Sequence, residues 1–96
     1  MRLIVQYLGP IRVKLDKKEE EINVDQGLSL FSLLRHLGES YGEWFGSEVL
    51  EDHEKRLREG VLVTVNGIAS GQIGGLEAKL KEGDIVTILP FFAGGG

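Results

Sequence analysis

The chain of 96 residues lacks cysteine altogether and has a deficit of basic residues. Without thiols, a disulfide scaffold, an iron–sulfur cluster, a zinc finger and a cysteine nucleophile are excluded. Eleven lysines and arginines stand against fifteen aspartates and glutamates, which gives a net charge of −4. An acidic chain without a basic stripe is a poor ligand for nucleic acid. We expect a protein partner with a basic surface instead, because complementary charge steers the encounter.

Long apolar runs are also missing. No stretch of eighteen apolar residues occurs, so the sequence predicts no membrane-spanning helix. Residues 1–8 contain one basic residue and are too short and interrupted for a signal peptide. The absence of cysteine makes a cytoplasmic protein the simplest expectation. Apolar residues make up 42% of the chain. That content suffices for one hydrophobic core in one domain, with one sheet packed on one or two helices.

The first quarter of the chain has strand patterns. Residues 2–8 are apolar on both faces, which predicts a strand in the middle of a sheet. Gly9-Pro10 ends this strand. Apolar and charged residues then alternate over 11–16, which predicts a second, half-buried strand. The charged run 16–21 predicts an exposed hairpin tip, and 21–24 continues the returning strand, with the division of residues 11–24 left open.

The middle of the chain has the period of a helix. Ser29 stands at the N-cap position and Gly38 at the C-terminal end. A short second helix is expected over 44–50, followed by a solvated connection over 51–59. Four leucines fall at i, i+3, i+4 and i+7 and form the stripe that covers the sheet: Leu30, Leu33, Leu34 and Leu37.

The last third returns to strands. Residues 61–65 predict a strand that ends in the Asn66-Gly67 turn. A glycine-rich loop follows over 71–75, and residues 85–89 predict the last strand, which Pro90 ends. Two strands precede the main helix and two follow it, so the fold class is α+β. We expect the first and last strands to pair centrally in a mixed β-grasp sheet of four to five strands on one main helix.

The chain contains, in order, the segments Ser29–Leu34, Val61–Gly67, Gly75-Leu76, Leu80–Pro90 and Ala93–Gly95. Together these segments resemble the MoaD/ThiS family of ubiquitin-like sulfur carriers. That family includes the small subunit of molybdopterin synthase, the ubiquitin-related modifier and the archaeal ubiquitin-like small modifiers. The chain departs from the family pattern at Phe91, where a second proline is usual, and at Gly96, which is a third glycine.

The resemblance implies a carrier and no enzyme. A ubiquitin-activating-type adenylyltransferase would use ATP to adenylate the carboxylate of Gly96, and a persulfide donor would convert it to a thiocarboxylate. The acceptor would be the large subunit of molybdopterin synthase or another sulfur acceptor. The alternative is a protein modifier that joins target lysines through Gly96, and the third reading is an interaction module with an inert tail. No bound cofactor is implied.

The residues of the tail suit this chemistry. Gly94, Gly95 and Gly96 have no side chains to block entry into a narrow active site, and glycine reaches backbone angles closed to other residues. We therefore expect a β-grasp domain over 1–90 and a flexible glycine tail over 91–96. His36 and His53 lack companion ligands, so we expect surface histidines and no metal site. The expected partner-binding residues are Leu62, Pro90, Phe91 and Phe92.

Overall fold

A mixed five-stranded sheet forms one layer of the protein, and helices form the other. The computed structural model describes residues 1–51 and 55–90. The strands run in the spatial order β2-β1-β5-β3-β4. The elements are β1 (Arg2–Tyr7), α1 (Gly9–Leu15), β2 (Glu19–Asn23), α2 (Leu30–Tyr41), α3 (Glu43–Val49), β3 (Val61–Val65), β4 (Ile68–Ala69) and β5 (Ile85–Pro90).

The centre of the sheet is the pair β1 and β5, which run parallel. β2 joins β1 and β3 joins β5, both antiparallel. The inward side chains of the central strands, among them Tyr7 and Ile88, are fully buried. This arrangement confirms the expected α+β class and the central pairing of the first and last strands. The fifth strand, β4, has only two residues and follows the Asn66-Gly67 turn.

Helix α2 covers the inner face of the sheet, as its leucine stripe predicts. The Ser29 hydroxyl accepts from the Ser32 N–H at 3.1 Å and caps the helix, and all four leucines are buried. The predicted end at Gly38 is wrong, because α2 continues to Tyr41 and is capped by Gly42 at a φ of 114°. A Cβ added at Gly38 would lie 3.7 Å from the Cα of Gly46. This glycine therefore lets α2 and α3 approach each other and does not end the helix.

The predicted strand over 11–16 is also wrong, because residues Gly9–Leu15 form helix α1. Gly9 and Pro10 open the helix, and proline suits its first turn because no N–H is required there. Asp16 caps the other end in the left-handed region, with a φ of 54°. Ile11 is the buried residue of α1 and joins the core under the sheet.

The second half of the chain follows its sequence pattern more closely. Helix α3 carries the buried Phe45 and Val49, which confirms the expected short second helix. The glycine-rich segment 71–75 contributes to two 3₁₀ turns, Ser70–Gln72 and Gly75–Glu77. Within residues 1–51 and 55–90, none of the helices has the length and apolar character needed to cross a membrane.

Candidate functional site

The C-terminal end of β5 lies in the middle of the sheet and is held on both sides. Pro90 pairs with Val61 of β3, and Ile88 pairs with Tyr7 of β1. The Leu8 N–H donates to the Ile88 carbonyl at 3.0 Å and extends the contact with β1 past the last strand residue. The chain therefore remains part of the rigid sheet up to Pro90, the residue that precedes the tail.

Gly9 packs directly against this end of β5. Its φ is +65°, a conformation that glycine adopts without strain. A Cβ added here would lie 3.0 Å from the Pro90 carbonyl oxygen and 3.8 Å from a methyl carbon of Leu89. Only a residue without a side chain permits both the turn into α1 and this close approach. The sequence pattern indicated Gly9 as a strand break and gave no sign of the contact.

An apolar row crosses the outer face of the sheet beside this exit point. Leu62 of β3 pairs with Leu89 of β5, and continuing the β1–β5 register by one residue places Leu8 on the other side of Leu89. Leu62 is 38% exposed, Leu8 is 36% exposed and Leu89 is half-buried. We call these three residues, Leu8, Leu89 and Leu62, the apolar row.

A polar pair separates the apolar row from the far end of the strands. The Thr87 hydroxyl donates to the Gln6 side-chain oxygen at 2.9 Å. Beyond it, Ile4 and Ile85 stand opposite each other, with Ile85 36% exposed. Exposed apolar side chains on a sheet face are suited to contact with a partner protein.

The structure places the expected site residues in three different settings. Leu62 lies exposed on the outer face, where a partner can reach it. Pro90 is buried as the last residue of β5, so its contribution is to fix where the sheet ends. Residues 91–96, with Phe91, Phe92 and the three glycines, lie outside the described residues, as does His53. His36 is exposed on α2.

A hydrogen-bonded cluster under β2 was not foreseen from the sequence. The Tyr7 hydroxyl donates to Glu20 Oε2 at 2.5 Å, and the Tyr41 hydroxyl donates to the same oxygen. The Lys17 ammonium donates to the Tyr41 hydroxyl at 3.0 Å and lies 3.6 Å from Glu20 Oε1. Glu20 is the residue of the acidic run 19–21 that turns toward the helices, a placement set by strand register.

The charges of this cluster are fixed by their neighbours. Burial raises the pKa of Tyr7, and the adjacent Glu20 carboxylate raises it further. Burial also raises the pKa of Glu20, but the hydroxyls of Tyr41 and Tyr7 and the Lys17 ammonium outweigh it, so the pKa ends below 4.5. The hydrogen bond to Tyr41 raises the pKa of Lys17. None of these three groups titrates near neutral pH, so the cluster is suited to holding the fold and not to acid–base chemistry.

No group of three or more histidine, aspartate or glutamate side chains within 1–51 and 55–90 is placed to hold a metal ion. A groove of about 380 Å³ runs between α2 and α3, lined mainly by backbone and aliphatic groups around Gly38, Gly42 and Gly46. The charged residues Arg35, Glu39 and Glu43 also line it.

Known proteins share this fold over almost the whole chain. SAMP1 from Haloferax volcanii matches with a TM-score of 0.80 and 18% identity, covering 98% of this chain and 99% of that one. Urm1 from Trypanosoma brucei matches with a TM-score of 0.81 and 22% identity, covering 97% and 94%. A putative molybdopterin converting factor, subunit 1, from Pyrococcus furiosus matches with a TM-score of 0.74 and 25% identity, covering 96% and 99%.

Sequence comparison gives the family itself. No curated protein matches the chain at a significant level of similarity. The model of the ThiS family, however, matches residues 5–95, which include the sheet, the helices and most of the glycine tail. The chain therefore belongs to the ThiS family and is a sulfur carrier or small modifier of the ThiS/MoaD group.

Proposed function

We propose that this protein carries sulfur as a thiocarboxylate on Gly96, and that it serves as the small subunit of a molybdopterin synthase. The observation that supports this most directly is the run Gly94–Gly96, which follows a central strand paired with β1 up to Ile88 and with β3 up to Pro90. The protein is then a co-substrate with no active site of its own. The division into a domain over 1–90 and a tail over 91–96 is part of the same proposal.

The proposed activation requires no side chain of the carrier. A Gly96 carboxylate oxygen attacks the α-phosphorus of ATP on an adenylyltransferase, and pyrophosphate leaves. A persulfide sulfur on a donor then attacks the acyl carbon, and AMP leaves. A thiol cleaves the sulfur–sulfur bond of the resulting acyl disulfide, which leaves the thiocarboxylate on Gly96 and a disulfide on the donor side. ATP and reduced thiols are available together in the cytoplasm, where we place the reaction.

The sheet supplies the means of recognition. The apolar row lies on the outer face next to the end of β5, so a partner that grips it also stands at the start of the tail. Glycines at 94–96 then pass into the partner's active site, where a side chain would collide. We include Leu62 and Pro90, with Phe91 and Phe92, in this docking region, Leu62 as a direct contact and Pro90 as the point from which the tail starts.

The choice of molybdopterin synthase rests on likeness. The putative molybdopterin converting factor subunit from Pyrococcus furiosus shares the fold over 96% of this chain with 25% identity. By this proposal, a larger catalytic subunit receives the tail and takes the sulfur from Gly96. The same activated carboxylate could instead react with a lysine amine, so conjugation to proteins is the competing outcome that the experiment must separate.

The test is the intact mass of the purified chain after incubation with ATP, a ubiquitin-activating-type adenylyltransferase and a persulfide donor. We expect one oxygen to be exchanged for sulfur, and the change to map to the C-terminal peptide. A chain that lacks Gly95 and Gly96 is the control and should remain unchanged. Addition of the large subunit of molybdopterin synthase and its sulfur-free pterin substrate should then restore the original mass.

Other results would identify the competing functions. Lysine-linked conjugates of higher mass, without sulfur transfer to the pterin, would replace the synthase role by that of a modifier. An unchanged mass with an enzyme that adenylates a known carrier would overturn activation at Gly96. The interaction-module reading would then account best for the apolar row.

A further inference from the structure

The charges of the chain are divided unevenly, and the segment 12–18, which includes most of helix α1, has a local excess of positive charge. Residues 12–18 contain four cations and one anion, whereas the rest of the chain contains seven cations and fourteen anions. Two of the four cations, Arg12 and Lys14, lie on α1, which the sequence pattern assigned to a strand, and Lys17 and Lys18 follow the end of this helix. The overall charge of −4 therefore conceals a basic surface.

Two of these cations are available to a partner. Lys14 pairs with Glu48, and Lys17 bonds the Tyr41 hydroxyl and lies near Glu20. Arg12 and Lys18 are exposed, and among the described residues neither side chain has a hydrogen-bonding or ionic partner. Together with Val13, Asp16 and Lys17 they line an open depression of about 470 Å³.

Val13 gives this basic surface an apolar centre. It is 79% exposed, the highest value among the exposed large apolar side chains of the described residues. Ile11, two positions earlier, is buried, since residues i and i+2 of a helix point in different directions. An exposed aliphatic side chain flanked by free cations is suited to a protein surface that combines carboxylates with an apolar contact.

The basic surface lies beside the start of the tail. Helix α1 begins at Gly9, whose backbone packs against the Pro90 carbonyl. Seven helical residues extend about 10 Å from that point. A fully extended tail of six residues reaches about 20 Å at most. A partner that holds Gly96 therefore stands close enough to cover α1 as well.

We propose that the surface formed by Arg12, Val13 and Lys18 docks onto an acidic patch of the adenylyltransferase that activates the tail. This proposal rests on the proposed function. Opposite charges beside the tail orient the carrier during encounter, so that Gly96 is presented to the nucleotide site. A nucleic acid fits this surface less well, because Asp16 and Glu19 repel phosphates beside it and Val13 offers phosphate no contact.

The experiment measures ATP–pyrophosphate exchange by the adenylyltransferase as a function of carrier concentration. The test variant is Arg12→Glu/Lys18→Glu. The matched control is Lys79→Glu/Lys81→Glu, which changes the net charge equally on exposed lysines that precede β5 and so lie far from Pro90 along the strand. We expect the test variant to raise KM about tenfold at low salt with little change in kcat, and the control to raise it less than about twofold. The difference should shrink at 0.5 M salt because the charges are screened.

The outcomes separate this surface from the proposed function. If the wild-type chain supports no exchange, the proposed function is overturned, and the docking surface falls with it. If the wild-type chain is active and both double variants have the same KM, the surface alone is overturned. Unchanged KM together with loss of binding to a fluorescent transfer RNA would also overturn it, in favour of a nucleic-acid contact. Far-ultraviolet circular dichroism and Tm should be unchanged in both variants, because all four side chains are exposed.

Discussion

The two faces of the central strands β1 and β5 differ in burial, and therefore in which substitutions they can accept. On the inner face, Val5, Tyr7, Val86 and Ile88 are fully buried against the helices. On the outer face, the alternate residues are half-buried or exposed, and the apolar row lies at the end next to the tail. Successive side chains of a strand point to opposite faces, so one strand can hold the fold together and present a contact surface at the same time.

The largest expected effect tests the inner face. Ile88→Ala should lower the free energy of unfolding by about 4 kcal/mol, because it removes buried methylene groups and leaves a cavity in a packed core. Urea denaturation of the purified variant measures the loss. The comparison variant is Leu89→Ala, one residue along β5 but on the half-buried outer face, where a much smaller loss is expected. Equal losses would contradict the division between the faces.

The next prediction concerns Gly9, which packs against the C-terminal end of β5. Gly9→Ala should cost about 2 to 3 kcal/mol, the sum of left-handed backbone strain and the 3.0 Å contact with the Pro90 oxygen. Gly27→Ala is the matched control, since Gly27 has a φ of +74° and nothing within 4 Å of the added Cβ. It should show the strain alone, at about 1 to 2 kcal/mol.

A second measurement on the same two variants, the rate of adenylation of Gly96, tests whether Gly9 affects the tail. If the Gly9 contact sets the direction in which the tail leaves, Gly9→Ala should alter the rate of adenylation of Gly96 at saturating carrier, while Gly27→Ala should not. Identical stabilities and rates in the two variants would show that the contact is unimportant.

The Glu20 cluster gives a smaller effect with a defined pH dependence. Glu20→Gln should lower stability by about 2 kcal/mol at pH 7, because hydrogen bonds to a charged carboxylate are replaced by neutral ones. The folded pKa of Glu20 lies below its ordinary value of 4.5. Its contribution is therefore complete above pH 4.5 and is lost as the pH falls through the lower folded pKa.

Thermal unfolding between pH 2 and pH 7 checks this sign. The wild-type chain should lose more stability over that range than Glu20→Gln does. Glu21→Gln is the control on the outer face, where the carboxylate is largely exposed and lies 3.6 Å from Arg2. It should change stability by less than about 0.5 kcal/mol, since exposed ion pairs contribute little. If Glu20→Gln lost as much stability between pH 7 and pH 2 as the wild-type chain, the Glu20 cluster would not be the cause of the acid sensitivity.

The smallest expected effect on stability comes from the outer face. Leu62→Asp should lower the free energy of unfolding by about 1 kcal/mol, because the side chain is already partly exposed but aspartate is disfavoured in a strand. The same variant should raise the KM of the adenylyltransferase or the large subunit for the carrier about tenfold, since it places a charge within an apolar contact. A stable variant with unchanged KM for both partners would remove Leu62 from the docking region.

The sequence predicted secondary structure correctly where the apolar residues fitted only the helix period or only the strand period. The prediction failed where they fitted both. Leu30, Leu33, Leu34 and Leu37 are compatible only with a helix, and that prediction is confirmed. Ile11 and Leu15 are consistent with an alternating strand, but they are also four residues apart and share a helix face. Only Val13 distinguishes the two, and its 79% exposure shows which one formed. The basic surface was therefore missed together with the helix.

The candidate site shows the same limit. The tail glycines and Leu62 could be chosen from residue type and position, because glycine and an outward leucine have local signatures. The Gly9 contact and the Glu20 cluster could not, since each joins residues distant in sequence. Gly9 meets Pro90 from the other end of the chain, and Glu20 meets Tyr7 and Tyr41 only after the sheet has formed. Such contacts follow from register and packing, which local patterns do not contain.

The position of β5 between β1 and β3 also has a mechanical consequence. If the proposed partner draws the tail along the axis of β5, the pull enters the sheet at Pro90. The hydrogen bonds to both neighbouring strands lie across that direction, so a pull loads several of them at once and does not peel them one by one. The sheet can therefore transmit tension from a bound tail to the whole domain without unravelling from its end.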